Sequence, residues 1–175
     1  EMIKNYFGDG SDFGVEIIVL TRANDGTLTK APDQLKINLG TYLSKFKPIC
    51  DSLNIIDGKI INIKVSFGIV ANSMYNKDAV LGSCLLMLKD YFRIDNWQMG
   101  QPIIISDIIS KLMAIRGVSS VTQVSIGNLY GTINNNVYSD TTFNVNGHTK
   151  NNIVTIEKDS IFEVRYSDTN LQGGI

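Results

Sequence analysis

The clearest pattern in the chain is an alternation. Ile61, Ile63, Val65, Phe67 and Ile69 alternate with Asn62, Lys64, Ser66 and Gly68. Side chains switch faces at every residue of a strand, so this stretch predicts a strand with one face on a core and the other outward. Residues 15–20, VEIIVL, are mostly β-branched and apolar, which predicts a strand covered on both faces. Residues 118–126 predict another strand, starting straight after a glycine. Phe162, Val164 and Tyr166 alternate with Glu163 and Arg165 and predict the last strand.

Three stretches follow helical spacing instead. Leu35, Leu39, Leu43 and Phe46 fall on one helix face, with Pro32 suited to the first helical position and Asp33 to the positive helix start. Gly40 interrupts that helix at a cost of about 1 kcal/mol relative to Ala, which predicts close packing against a neighbouring backbone. Lys45 and Lys47 suit the negative end and Pro48 the stop. The second helix takes Asn76 as cap and Asp78 in its first turn, with Leu81, Cys84, Leu85, Leu88 and Phe92 as its stripe. The third takes Ser106 as cap beside Asp107, and Ile108, Ile109, Leu112 and Ile115 face inward. Arg116-Gly117 supplies its C-terminal signal, with Gly117 expected at positive φ.

The connections complete the order. Residues 1–14 read as a flexible leading segment. Asp25-Gly26 and Asp57-Gly58 mark turns. Residues 130–152 hold seven Asn. There Thr141, Phe143 and Val145 alternate, Asn146-Gly147 is a two-residue turn signal, and NIVTI suits a return strand. The tail, SDTNLQGGI, reads as loose. The order β-α-β-α-α-β, an arm, then β predicts an α+β fold: a two-layer mixed sheet with helices on one face. It is a ferredoxin-like variant with an Asn-rich hairpin-like insertion before the last strand. Residues 15–175 form a single domain in this scheme, with 132–152 as a protruding polar arm. The first residue is Glu, so the chain is read as the C-terminal fragment of a longer polypeptide.

Composition narrows the function classes. A chain of 175 residues can bury roughly 70% of its unfolded surface, so it needs no metal or disulfide to fold. A net charge of −1, with both signs mixed along the chain, offers no electrostatic footprint for nucleic acid or an anionic membrane. No apolar run approaches the ~20 residues that span a bilayer. Cys50 and Cys84 are expected as buried thiols.

Candidate chemistry is sparse. FGDGSDFG, residues 7–14, precedes a strand instead of following one, and no Lys-Ser/Thr follows, so it makes neither a phosphate loop nor a dinucleotide fingerprint. Its oxygens also lack the spacing of a Ca²⁺ loop. KVSFGIV, residues 64–70, echoes an RNA-binding strand, but Phe67 shares its face with core residues. His148 is the only histidine and has no neighbouring ligands to make a zinc site. Neither Cys84 nor any Ser has a nucleophile context. Glu157 and Asp159 are expected to be solvated, and Arg93 and Asp95 to form an exposed pair. Trp97, in a helix-to-helix link, is expected to lid the core. No catalytic, cofactor-binding or metal-binding residue is predicted, nor any cofactor. Tyr138 and Phe143, two aromatics in the polar arm, are the candidate partner anchors.

Three segments carry a family resemblance: LNIIDGKIINIKVSF, then KDYFRIDNWQMGQPIIISDIISKLMAIRGVSSVTQVSIGNLYG, then SIFEVRYSDTNLQGGI. Tyr-Phe-x-Ile-Asp-x-Trp-x-x-Gly-Gln-Pro-Ile is the most specific part. Together they resemble the C-terminal part of a baseplate wedge protein of contractile-tailed bacteriophages, related to the wider baseplate J-like family. The resemblance implies a structural role in the virion, assembled in the host cytoplasm. Such proteins form the inner baseplate ring by contacts with themselves and with other wedge subunits, and relay the change that triggers contraction. It implies no catalytic residues, no small-molecule substrate and no nucleic-acid partner. The competing expectation is a small ligand-binding or enzymatic module on a ferredoxin-like fold.

Overall fold

The computed structural model describes residues 14–46 and 52–175. The leading segment up to Phe13, and the expectations placed on Lys47, Pro48 and Cys50, lie outside the described residues. The chain divides into two compact units, Glu1–Gly58 and Lys59–Ile175.

In the first unit, β1 (Gly14–Val19) pairs in parallel with β4 (Ser52–Asp57), from Gly14 opposite Ser52 to Val19 opposite Asp57. The sequence pattern does not predict β4. The expectation that β1 is covered on both faces fails, because Val15 is 52% exposed; among the described residues its sheet has two strands. A hairpin of β2 (Thr21–Arg22) and β3 (Leu28–Thr29) follows. Its loop holds Gly26 at φ +84°, and the Asp25 carboxylate accepts from the Thr27 N–H and hydroxyl.

Helix α1 (Asp33–Leu43) packs on β4. Pro32 stands at the cap instead of inside the helix, which it suits because its missing N–H costs nothing there. Lys36 bridges Asp33 at 3.0 Å and Asp57 at 2.9 Å. The neighbour of Gly40 is the Ile55 side chain at ordinary contact distance, not a backbone. The expected core face is not enclosed either. No residue of α1 is buried, and Phe46 beyond its end is 70% exposed. Among the described residues of this unit, the helix rests on a two-stranded sheet, which offers little area to bury its face.

The second unit is built on β5 (Lys59–Ala71). The alternation read from the sequence holds, with Ile61, Ile63, Val65, Phe67 and Ile69 all buried. Asn62, expected to face outward, is buried as well, because it has partners far along the chain. On one edge β5 pairs antiparallel with β7 (Val118–Leu129), through register shifts after Gly68 and after Val70. On the other edge it pairs in parallel with β12 (Ser160–Glu163) and then with β13 (Leu171–Gly174).

This C-terminal region departs from the expected pattern. All four residues of β12 are buried, where alternation was expected, and the strand ends before Val164. The tail is not loose: 167–170 form a helical turn, α5 (Ser167–Asn170), and the next four residues complete the sheet edge.

Two helices cover the sheet. Helix α2 (Lys77–Tyr91) packs against β13, and α3 (Ile105–Met113) against β7 and α2. Asn76 caps α2 by accepting from the Ala79 N–H at 3.1 Å. Val80, Cys84 and Leu88 of α2 and Ile108 and Leu112 of α3 are buried. Leu81 and Leu85 are half-buried. Helix α3 starts one residue before Ser106, which is therefore not its cap. Its first N–H, at Ile105, donates instead to the Asn152 carbonyl at 2.8 Å. The architecture is α+β, with a mixed sheet.

The Asn-rich segment forms two small hairpins, neither at the expected turn. β8 (Thr132–Ile133) and β9 (Asn136–Val137) turn through Asn134 and Asn135 at φ +50° and +65°. β10 (Thr149–Lys150) and β11 (Ile153–Val154) turn through Asn151 and Asn152 at φ +51° and +62°. Asn tolerates this left-handed region better than other non-glycine residues, which accounts for the paired asparagines. Asn146 and Gly147 lie instead in a helical turn, α4 (Val145–His148), where Asn144 accepts from the Gly147 N–H. β11 also pairs with β6 (Ile103–Ile104), tying this segment to the start of α3.

Candidate functional site

The joint between α2 and α3 is the most constrained place in the sequence motif. Phe92 closes α2, and a 3-10 turn, Ile94–Asn96, leads to Trp97. Trp97 is 7% exposed. Its ring stacks on Phe92 at 5.5 Å and meets Phe162 edge-on at 6.5 Å, and its Nε1 donates to the Tyr91 carbonyl at 2.9 Å. A buried indole with its one donor satisfied is a core lid, as expected. Gly100 takes φ +72° and donates to the Ser160 carbonyl at 2.8 Å. A Cβ there would press on the Lys158 backbone at 3.3 Å, so the turn needs glycine. Burial, with Asp107 nearby, pushes the Tyr91 phenol up to about 12. It stays neutral in the physiological range.

A cavity of about 470 Å³ opens beside β5 and β12. Lys59, Asp140, Phe143, His148, Glu157 and Ser160 line it. The start of β5 supplies Lys59, the loop before β12 supplies Glu157, β12 supplies Ser160, and the Asn-rich segment supplies Asp140, Phe143 and His148. Lys59 binds Glu157 at 2.8 Å and Asp159 at 3.0 Å. These bonds, to Glu157 first, hold the Lys59 ammonium above its usual range. Burial raises the Asp159 carboxyl, but the bonds from Lys59 and Ser160 outweigh it and leave the group lowered. Asp159 is therefore mostly covered, where it was expected to be solvated, while Glu157 remains largely exposed. A lysine held charged by two carboxylates is a strut, since a nucleophilic or general-base lysine needs the opposite shift.

The two expected partner anchors both have partners within the chain. Tyr138 is 6% exposed; its phenol donates to Asn170 Oδ1 at 2.9 Å and its ring meets Tyr166 edge-on. Phe143 is half-buried, with His148 stacked on it at 4.5 Å and Phe162 edge-on at 5.5 Å. Beside Tyr138, the Ser139 N–H donates to Asn62 Oδ1 at 2.7 Å and its hydroxyl to the Ile60 carbonyl at 2.6 Å. Asn62 also donates to Glu163 at 2.6 Å. This buried network pins the segment to the sheet, and sequence spacing gave no sign of it.

The remaining expected groups stand apart. Cys84 is a free, buried thiol on α2, and burial pushes its pKa up. His148 is exposed. Arg93 reaches Asp95 at 3.4 Å and Asp90 at 3.5 Å at the surface. Among the described residues, no group of three His, Cys, Asp or Glu is placed to hold a metal, and no helix is long and apolar enough to cross a membrane. Comparison with known proteins gives no matching family model and no matching curated relative.

Proposed function

We propose that this chain is a structural component of a phage tail baseplate wedge. In this role it forms the inner baseplate ring by self-association and by contacts with other wedge subunits, and relays the change that triggers sheath contraction. It works in the virion, after assembly in the host cytoplasm, without cofactor, substrate or catalysis. The finer fold expectation, a ferredoxin-like variant with an Asn-rich insertion before the last strand, belongs to the same proposal.

The observation that carries it is the motif of residues 91–103. Four of its members shape the joint: Phe92 and Trp97 stack, Gly100 supplies the positive φ, and Ile103 is fully buried. A motif used this way supports a shaping role for the joint more than a chemical one. The lysine-centred cavity favours a second reading, a small ligand-binding module. Its lysine is held by Glu157 and Asp159, which weakens that alternative.

The test is direct imaging. The chain, fused to a compact density label, is co-expressed with the other wedge subunits of its tail, and the assembled baseplates are imaged. Label density repeating around the inner ring is expected. Assembled baseplates without it would sink the proposal.

A further inference from the structure

β7 leaves one edge of the sheet unpaired. Among the described residues it pairs as a strand only with β5; at its start the Val118 N–H donates to the Ile115 carbonyl, and no backbone hydrogen bond links 123–129 to another element on its other side. Such an edge presents a row of free N–H and C=O groups, and proteins usually guard it with lysine, proline or a covering element. β7 reads VSSVTQVSIGNL and holds no charged residue and no proline. Two register shifts opposite 68–71 interrupt it, α4 contacts it and the Phe143 N–H bonds to Asn128 Oδ1, while the backbone of 123–129 stays regular.

The side chains point the same way. Val121, Val124 and Ile126 stand opposite Ile69, Phe67 and Val65 on the core face. The β5 partners are at most 3% exposed, yet no residue of β7 is buried. The apolar layer therefore runs to the edge and stops half-covered. One more strand would both satisfy the backbone and cover this row.

We propose that the free edge of β7 pairs antiparallel with the same edge of a second copy, about a twofold axis within 123–129. The inference rests on the ring-component reading for the use of the contact, and on β7 alone for its place. A second copy fits because a twofold axis sets a neutral strand against itself, with no charge to repel the match. It also sets one half-covered apolar row against another. The exposed side chains of the stretch, Gln123 and Ser125, lie on the opposite face and leave the ladder open.

The test uses the full chain and two double variants, Gln123→Lys with Ser125→Lys and Gln123→Glu with Ser125→Glu. Sedimentation of the unaltered chain is expected to give a dimer at micromolar concentration. Each variant alone is expected to dimerise about tenfold or more weakly, because like charges then face each other across the axis. An equimolar mixture of the two is expected to recover the dimer. Hydrogen exchange of the unaltered chain, at low and high concentration, gives a second readout that needs no variant. Amides within 123–129 are expected to slow as the dimer fills. A chain that stays monomeric, or a dimer whose β7 amides do not slow, overturns the proposal. A dimer that both variants leave intact overturns this edge but not the ring role, which the imaging experiment judges separately.

Discussion

Gly68 and Thr122 face each other so closely across β5 and β7 that a Cβ on Gly68 would overlap Thr122 Oγ1. Thr122 is the extra residue at the first register shift, since Gly68 stands opposite Gln123 and Ile69 opposite Val121. The bulge thus fits a vacancy that only glycine provides. Gly68→Ala is expected to lose about 1–3 kcal/mol in urea unfolding. Adding Thr122→Ala removes the overlapping atom and should recover most of that loss. Simple additivity of the two changes would show that the pair is not coupled.

Gly117 tests a harder constraint. It takes φ +98°, and a Cβ would lie 2.7 Å from Val80 Cγ2 and 3.1 Å from the Tyr75 ring. Gly117→Val combines backbone strain with overpacking, so a loss of about 2–4 kcal/mol is expected. Gly26 has a similar φ of +84° but open space around it. Gly26→Ala should therefore cost only the backbone term, about 1 kcal/mol. An unchanged melting temperature in Gly117→Val would contradict this account of the α3-to-β7 connection.

Trp97 offers a graded series. Trp97→Ala removes a buried ring against Phe92 and Phe162 and is expected to cost about 3–5 kcal/mol. Trp97→Phe keeps an aromatic there but loses the donor to the Tyr91 carbonyl, for about 1–2 kcal/mol. Equal losses would mean that a phenyl ring restores nothing, which would contradict ring packing as the main source of the cost.

The Lys59–Asp159 strut predicts a pH dependence. The Asp159 pKa is lowered in the folded chain, so its contribution is present above the unfolded value, about 3.9, and fades as pH falls through the lower folded one. The Lys59 pKa is raised, so its contribution is present below about 10.4 and fades as pH rises through the higher folded value. Asp159→Asn should therefore lower the urea midpoint at neutral pH, with the gap to the unaltered chain narrowing at both extremes. A gap that stays constant down to strongly acidic pH would exclude this pair as its source.

What could be read from the sequence follows how local each cause is. The β5 alternation and the Asn76 cap were legible because burial on one face and an Oδ1-to-N–H bond repeat within a few residues. Gly117 was legible because its conformation excludes other residues. Asn62 was not, since its partner Glu163 lies 101 residues away. β13 was not, because Leu-Gln-Gly-Gly has no strand pattern and becomes a strand only beside β5. The α1 stripe misled in the other direction: its helical period is real, but the period cannot say whether a second layer exists to enclose it. For the candidate site, the Trp97 lid was legible, whereas the inward turn of Tyr138 depended on Asn170 and Tyr166 arriving from another part of the chain.

The second edge of β5 has a consequence for the order of folding. β5 is synthesised long before β12 and β13, the segments that pair with it there. A chain leaving the ribosome therefore carries its most apolar strand unpaired until β7 emerges and half-paired until β12 and β13 follow, with Asn62 and its partner Glu163 separated by 101 positions. Non-local parallel pairing of this kind is slow to form and leaves strand backbone open to other chains in the interval. Closure of the sheet thus waits on translation, and nascent chains crowded on one message are the setting in which mispairing would begin.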